Sequence, residues 1–368
     1  MKFLVTGVNG FIGSNLAKKL VESDYEVRGL ILEGTDESNL EKFADKIEKV
    51  YGDITDPNSI RTHFKGIDVV VHLAARAHDW GPEKLFQRIN YEGSKNVLDA
   101  AVDASVKRFI FMSSLTVHGF EGFQNVDEET PYKPYNAYAR SKKAVEDLLN
   151  DYFKQGKIET VIIRPGFTIF GPYDRLFSFE AYKRIEKGKS FPVVNKGKSL
   201  ICYSYVENLV DGLILVATRP KAAGKTYIIS DGPIIVFREF MEKMIKVCTN
   251  ERKIKLRGIP SWLATKVAGF FKAIYRLGRR KKKRELILLN VPLWLAIIAA
   301  GFIEAIYKIS RSNKGPLITK YRVKVSSTDL GFVNEKFVKE LGYKAIVGIE
   351  EGFKRTYEWY KEEMERVT

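Results

Sequence analysis

Through the first 165 residues, short apolar runs alternate with segments whose apolar residues recur at helical spacing. KFLVTG (2–7) is followed by VNGFIGSNLAKKLVES (8–23), YEVRGLIL (25–32) by a turn, and IEKVYGD (47–53) by Pro57 and a short helix around NSIRTHF. GIDVVVHLAA (66–75) leads into INYEGSKNVLDAAVDAS (89–105), and KRFIFMSS (107–114) and ETVIIRPG (159–166) supply a fifth and a sixth strand. Runs that are apolar on both faces and separated by helices predict a parallel sheet covered on both sides, an α/β fold. No internal repeat or low-complexity tract interrupts the pattern.

The first turn changes the picture from a fold to a chemistry. Gly7, Gly10 and Gly13 form T-G-x-x-G-x-x-G between the first strand and its helix. One glycine permits the tight turn, another lets backbone approach a pyrophosphate, and the third lets helix and strand pack closely. The helix start then offers unpaired N–H groups and a partial positive charge to phosphates, beside Phe11 and Ile12. The expectation is a Rossmann-like, doubly wound, dinucleotide-binding half over 1–167 and 204–231. A smaller, mostly helical half for substrate and membrane docking takes 168–203 and 232–368. An acid about twenty residues on meets the adenosine ribose in such folds, which nominates Glu33 at the end of the second strand. No Arg stands at that strand end, since Arg28 lies inside the strand, so NAD is favoured over NADP while NADP stays open. Asp53 and Ile54, after the third strand, are expected near the adenine.

Bulk composition adds limits. The 368 residues are 45% hydrophobic and 29% charged, ordinary for a folded chain. Two cysteines, Cys202 and Cys248, make neither a disulfide framework nor a metal cluster. With no signal-peptide pattern in MKFLVTG, a cytoplasmic location is expected. Charge is uneven: residues 1–250 hold 35 Lys and Arg against 33 Asp and Glu, the rest 26 against 12. Basic residues concentrate around RRKKKRE (279–285), flanked by IPSWLATKVAGFFKAIYRLG and by an eighteen-residue uncharged run, 286–303. Segment 259–310 therefore reads as a peripheral, monotopic device for an anionic membrane surface. A membrane span ranks second, and a lid over an apolar pocket is the remaining reading. Aromatic residues there sit at amphipathic-helix spacing, which argues against nucleic acid.

Two further signals carry catalysis. Ser113 and Ser114 end the fifth strand, at the sheet edge where ligands of such folds lie. In PYNAYARSKKAVEDLL (134–149), Tyr138 precedes Lys142 by four residues, which places both on one helical face. An alcohol-oxidising nicotinamide enzyme needs a base, and an ammonium beside a phenol is expected to lower its pKa from near 10. His72 and His118 are not expected to act as separate bases.

The chain resembles an extended short-chain dehydrogenase/reductase. T-G-x-x-G-x-x-G, GDITD, HLAA, NYEGSKNVL, SSLTVHG, Y-x-x-x-K and RPGFTIFGP occur in that family's order. The resemblance implies that Tyr138 is the general base, that Lys142 assists it and binds the nicotinamide ribose, and that Ser114 holds the substrate oxygen. It further implies that Asn90 supports the site and that Leu73, Ala74, Ala75 and Ser113 line the cofactor's path. By the same resemblance Pro165, Phe167 and Thr168 cover the nicotinamide, His118 bears on substrate, and the chain forms a homodimer.

The later segments are similar in order to the 3β-hydroxysteroid dehydrogenase branch, nearest to sterol-4α-carboxylate 3-dehydrogenases. That implies an apolar, sterol- or isoprenoid-like alcohol or ketone as substrate. A sugar-nucleotide epimerase, dehydratase or reductase is the alternative, its pyrophosphate met by Arg175, Lys183, Arg184 and Lys196. A catalytically silent, cofactor-bound assembly subunit is the third reading, weakened by the intact Ser114, Tyr138 and Lys142. No metal site is expected.

Overall fold

The computed structural model describes residues 1–249, 253–258, 285–310, 315–316 and 318–367. Seven strands form the main sheet: β1 (Lys2–Thr6), β2 (Glu26–Ile31), β3 (Glu48–Tyr51), β4 (Val69–His72), β5 (Arg108–Met112), β6 (Glu159–Pro165) and β7 (Lys225–Ile229). Their spatial order is β7-β6-β5-β4-β1-β2-β3, and every pairing is parallel. The order reverses between β1 and β4, the switch point where such sheets bind ligands. Six of these strands correspond to the apolar runs of the sequence; β7 is an added edge strand.

Side-chain alternation explains why both faces had to be apolar. Phe3, Val5, Val71, Ile110, Val161 and Ile163 point to one face, where helices Phe11–Glu22 and Val206–Thr218 cover them. Leu4, Val70, Phe109, Phe111 and Ile162 point to the other, under helices Gly93–Asp103 and Ala137–Lys154. Each fully buried side chain of this kind contributes about 1.5–3 kcal/mol, so neither layer of helices is dispensable.

A second sheet joins Asp231–Val236, Leu200–Tyr205, Leu330–Phe332 and Phe123–Val126, with Thr168–Phe170 also paired to Leu200–Tyr205. An aromatic core of Phe170, Tyr182, Tyr205, Phe240, Phe353 and Tyr360 packs beside it.

The uncharged run 286–303 does not form one helix. It divides at Pro292 into strand Glu285–Val291 and helix Leu293–Ile309. The strand lies between Lys253–Gly258 and Phe191–Val194 in a parallel three-stranded sheet. Proline lacks the N–H to continue a helix through position 292 but suits a helix's first flank. Among the described residues no helix is long and apolar enough to cross a membrane. The amphipathic helix expected over IPSWLATKVAGFFKAIYRLG, and the basic cluster after it, lie outside the described residues.

Candidate active site

The glycine turn has the close contacts its sequence implies. Gly7 has φ +65°, and a Cβ there would stand 3.1 Å from the Ala74 backbone. A Cβ on Gly13 would stand 2.3 Å from the Gly7 carbonyl oxygen and 2.8 Å from Val8 Cα. Gly10 caps helix Phe11–Glu22 without a side chain, and no acid occupies the helix's first turn. The exposed N–H groups therefore remain suited to an anion. Phe11 and Ile12, which open the helix, pack against the core under the sheet.

Beside the turn lies a cavity of about 500 Å³, lined by Gly7, Asn9, Asp53, Ile54, Ala74 and Ala75 among others. Asp53 is fixed by accepting from Thr55 N at 2.8 Å. Glu33 is exposed and stands outside this lining, where Leu32 and Thr35 take part instead. Arg28 is ion-paired to Glu48 at 2.8 Å, turned away from the strand end. Asn9 was not singled out by the sequence: its Nδ2 donates to Thr35 Oγ1 and to the Asp36 carbonyl, both at 2.9 Å, and locks the turn to the loop after β2. The cradle, the uncapped helix start and the groove fit a dinucleotide.

Leu73 and Ala74 donate their N–H groups to Thr6 Oγ1, each at 3.1 Å. Thr6 is in turn bonded to His72 Nδ1, whose Nε2 meets Ser94 Oγ, both at 2.8 Å. Burial drives His72 down to about 3, so it is a neutral bridge between strands and helix and has no part in proton transfer.

Asn136 caps helix Ala137–Lys154, its Oδ1 accepting from Ala139 N at 2.8 Å. That cap places Tyr138 in the first turn, at the mouth of the larger cavity. Lys142 Nζ lies 5.9 Å from the Tyr138 ring centroid and 4.6 Å from that of Phe111, and donates to the Met112 carbonyl at 2.7 Å. Ser114 lies near the phenol, which it pulls down, and its Oγ accepts from Thr116 Oγ1 at 3.0 Å. The residues that the sequence nominates for catalysis are thus brought together.

Asn90 stitches them from behind. It is buried in a π-helical turn, Gln87–Glu92, a local widening often found at functional sites. Its Oδ1 accepts from Arg76 N at 2.8 Å and its Nδ2 donates to Ser141 Oγ at 2.9 Å, next to Lys142.

The electrostatics differ from the expectation of a depressed phenol. Burial pushes Tyr138 up to about 12, against the pull of the Ser114 hydroxyl. Burial also brings Lys142 down to about 7, with the Glu146 carboxylate pulling the other way. The i, i+4 spacing shows proximity but not desolvation, and desolvation disfavours both charged forms.

Two other assignments change. Ser113 points away from the cofactor groove and donates to the buried Glu146 carboxylate. His118 is fully buried and lines neither cavity described here. Its Nε2 takes a bond from Arg164 Nη1 at 3.0 Å, and burial brings it down to about 4. Pro165 is buried at the end of β6, Phe167 packs on Phe120 and Phe332, and Thr168 pairs with Tyr203. None of the three is in the lining of either cavity.

The larger cavity, about 1080 Å³, opens over Tyr138 between the loop after β4 and the C-terminal part. Trp80, Phe86, Tyr135, Tyr307 and Tyr321 give it aromatic walls. Asp79 clasps its two sides: Oδ2 accepts from Thr319 Oγ1 at 2.5 Å and Oδ1 from Arg322 Nη2 at 2.8 Å. Tyr321, which this clasp seats beside Tyr138, had no signal in the sequence. Among the described residues no cluster of side chains could hold a metal ion.

The fold and site have known counterparts. Residues 3–230 match the family described as NAD dependent epimerase/dehydratase. The chain is 28% identical over 376 residues to 3beta-hydroxysteroid-dehydrogenase/decarboxylase isoform 1 of Arabidopsis thaliana, covering 96% of this chain and 78% of that one. It is 32% identical over 256 residues to UDP-glucose 4-epimerase of Vibrio cholerae, covering 66% and 74%. Among solved structures, the dTDP-glucose 4,6-dehydratase of Streptomyces venezuelae with NAD bound matches 100% of this chain and 98% of its own. The TM-score is 0.72 at 22% identity, a likeness of fold. A family match over most of the dinucleotide-binding half, with the glycine cradle and the Ser114–Tyr138–Lys142 grouping in place, identifies the chain: it is an NAD-dependent enzyme of the epimerase/dehydratase family, an extended short-chain dehydrogenase/reductase.

Proposed function

We propose that the protein oxidises a secondary alcohol on an apolar ring substrate, in the manner of a 3β-hydroxysteroid dehydrogenase. The observation that carries this reading is Tyr138, beside Ser114 and backed by Lys142, at the edge of an aromatic-walled cavity. In this reading the Ser114 hydroxyl holds the substrate oxygen in line with the phenol. The Tyr138 oxygen, as phenolate, takes the hydroxyl proton. Lys142 favours the phenolate by its charge and presents an N–H donor toward the cofactor's ribose. Gly7, Gly10 and Gly13 seat the pyrophosphate, Asp53 and Ile54 flank the adenine, and Ala74 and Ala75 line the groove. The nicotinamide, when bound, supplies the hydride acceptor.

A sugar-nucleotide reading is the rival, favoured by the epimerase relative. The four cations that the sequence offered for a pyrophosphate lie elsewhere, while Arg76, Arg140, Lys308 and Lys320 line the cavity over Tyr138. Arg175 is ion-paired to Glu363 at 2.8 Å, Arg184 donates to the Ser190 carbonyl at 2.6 Å, and none of Arg175, Lys183, Arg184 and Lys196 lines the cavity over Tyr138. Following NAD reduction with a 3β-hydroxysterol and with a UDP-sugar separates the two: turnover of the sugar nucleotide alone removes the steroid-type reading.

We further propose that the enzyme docks on an anionic membrane surface through helix Leu293–Ile309. Trp294, Ile298, Phe302 and Ile309 form an outward stripe, 56%, 53%, 58% and 84% exposed. The opposite face packs Leu295, Ala296, Ala299 and Ala300 on Val194, Val291 and Val323. A contiguous exposed apolar face of this kind marks a contact surface, and the adjoining Lys308 and Lys320 suit anionic headgroups. Glu304, Tyr307 and Lys308 of the same helix line the substrate cavity, so a lipid-dissolved alcohol would pass to Tyr138 without crossing bulk water. Flotation with vesicles of phosphatidylserine and phosphatidylcholine tests this: Trp294→Glu/Phe302→Glu should stay at the bottom while the unaltered protein floats. Equal flotation of both would remove the assignment.

A further inference from the structure

One group of buried charges joins helix Ala137–Lys154 to β6 and has no part in the mechanism above. Glu146 and Arg164 are each fully buried and paired at 2.6 Å. Glu146 Oε1 accepts from Arg164 Nε at 3.0 Å and from Ser113 Oγ. Its Oε2 accepts from Arg164 Nη2 at 2.6 Å and from Tyr132 Oη at 3.2 Å. A buried ion pair is a poor stabilising device, because apolar side chains of similar volume do as well or better.

Its position suggests another purpose. Glu146 follows Lys142 by four residues on one helix, so the two share a face. Ser113, which Glu146 holds, stands between Met112 and Ser114. The Met112 carbonyl anchors the Lys142 ammonium, and the Ser114 hydroxyl lies near the phenol. One carboxylate thus fixes the strand end that carries both contacts, one helical turn from the lysine.

The other groups around Lys142 do not offer this. His72 from β4 is neutral and engaged with Thr6 and Ser94. Phe111 presents a ring face at 4.6 Å, and Tyr138 is the phenol that the lysine serves. Arg164 from β6, with His118 and Tyr132 beyond it, lies behind Glu146, and His118 is neutral. Among the described residues, Glu146 is the one anionic side chain that acts on Lys142.

We propose that Glu146 is a positioning residue of the active site: it keeps Lys142 an ammonium against the Met112 carbonyl and so sets the pH range over which Tyr138 can act as base. This rests on the reading of Tyr138 and Lys142 given above. The role is one of charge, passed along one helical turn, with Arg164 and Tyr132 holding the carboxylate in place.

The test uses the cofactor-free full chain. Lysine labelled with 13C at Cε is titrated by NMR in the unaltered protein, in Glu146→Gln and in Glu146→Asp, with Lys142→Met to assign the resonance. The Lys142 midpoint should fall by at least about half a pH unit in Glu146→Gln and return toward the original in Glu146→Asp, which keeps the charge. In the cofactor-loaded enzyme the alkaline limb of turnover should fall by the same amount. A folded Glu146→Gln with an unmoved midpoint overturns the proposal. Should that variant not fold, Glu146→Gln/Arg164→Met removes both buried charges, and the same two outcomes apply. If Tyr138→Phe retains full turnover, the catalytic reading fails, while the lysine midpoint still reports on Glu146 alone.

Discussion

Lys142 donates to the Met112 carbonyl at 2.7 Å, which ties the catalytic helix to the last residue of β5. The lysine enters this contact almost fully buried, and burial lowers it from 10.5 to about 7. Above about pH 7 the unfolded chain binds a proton here that the folded chain has released. Burying this group therefore costs stability in full below about pH 7, and the cost is relieved as pH rises through the window up to 10.5. Lys142→Met should flatten the rise in urea-unfolding free energy between about pH 7 and pH 9. It should also cut turnover about 100-fold or more. An unchanged slope with pH would contradict the burial of a titrating lysine.

Tyr138 is held up at about 12 while the Ser114 hydroxyl pulls it down. Alcohol oxidation should accordingly quicken with pH as the phenolate fraction grows, until loss of the Lys142 ammonium sets the alkaline limb. Ser114→Ala removes the downward pull, so its rate profile should lie to higher pH, with a lower plateau from the lost substrate contact. Tyr138→Phe should lose about 100-fold or more of turnover while NAD still quenches intrinsic fluorescence with unchanged affinity. A Ser114→Ala profile shifted to lower pH would refute the pull assigned to Ser114.

The third glycine of the first turn has the least room of the three. A Cβ on Gly13 would meet the Gly7 carbonyl oxygen at 2.3 Å and Val8 Cα at 2.8 Å, both backbone. Neither can move aside alone, so the helix must shift off the strand. Gly13→Ala should cost about 1–3 kcal/mol of stability and weaken NAD binding far more than substrate binding. Calorimetric titration with NAD checks this; unaltered affinity would mean that the turn does not seat the pyrophosphate.

Much of this site was legible in the sequence because local pattern and local chemistry coincide there. Six strands announced themselves by apolar runs, and Gly7, Gly10, Gly13, Tyr138 and Lys142 by spacing. What was not legible depends on direction and burial. At the end of β5 successive side chains point opposite ways, so Ser114 faces the phenol and Ser113 faces Glu146. Spacing placed the ammonium near the phenol but could not show that desolvation outweighs their attraction. Hydropathy alone did not separate a span from a strand and a helix meeting at Pro292. Tyr321 reaches the site only because distant segments are clasped together.

That clasp is Asp79. Its side chain is nearly buried, and it accepts from Thr319 and Arg322 across the cavity mouth. The contact holds the start of helix Lys320–Ser327 against the loop after β4, and with it Tyr321 against the site. Asp79→Asn keeps the shape but weakens two charge-assisted bonds. The wall should then sample open positions, raising KM for the alcohol several-fold at little change in kcat and none in NAD affinity. Thr319→Val, which breaks its bond to Asp79 and also the cap that accepts from Arg322 N at 3.1 Å, should move KM the same way. If kcat falls while KM holds, the clasp acts on the catalytic group directly and the wall is not what it positions.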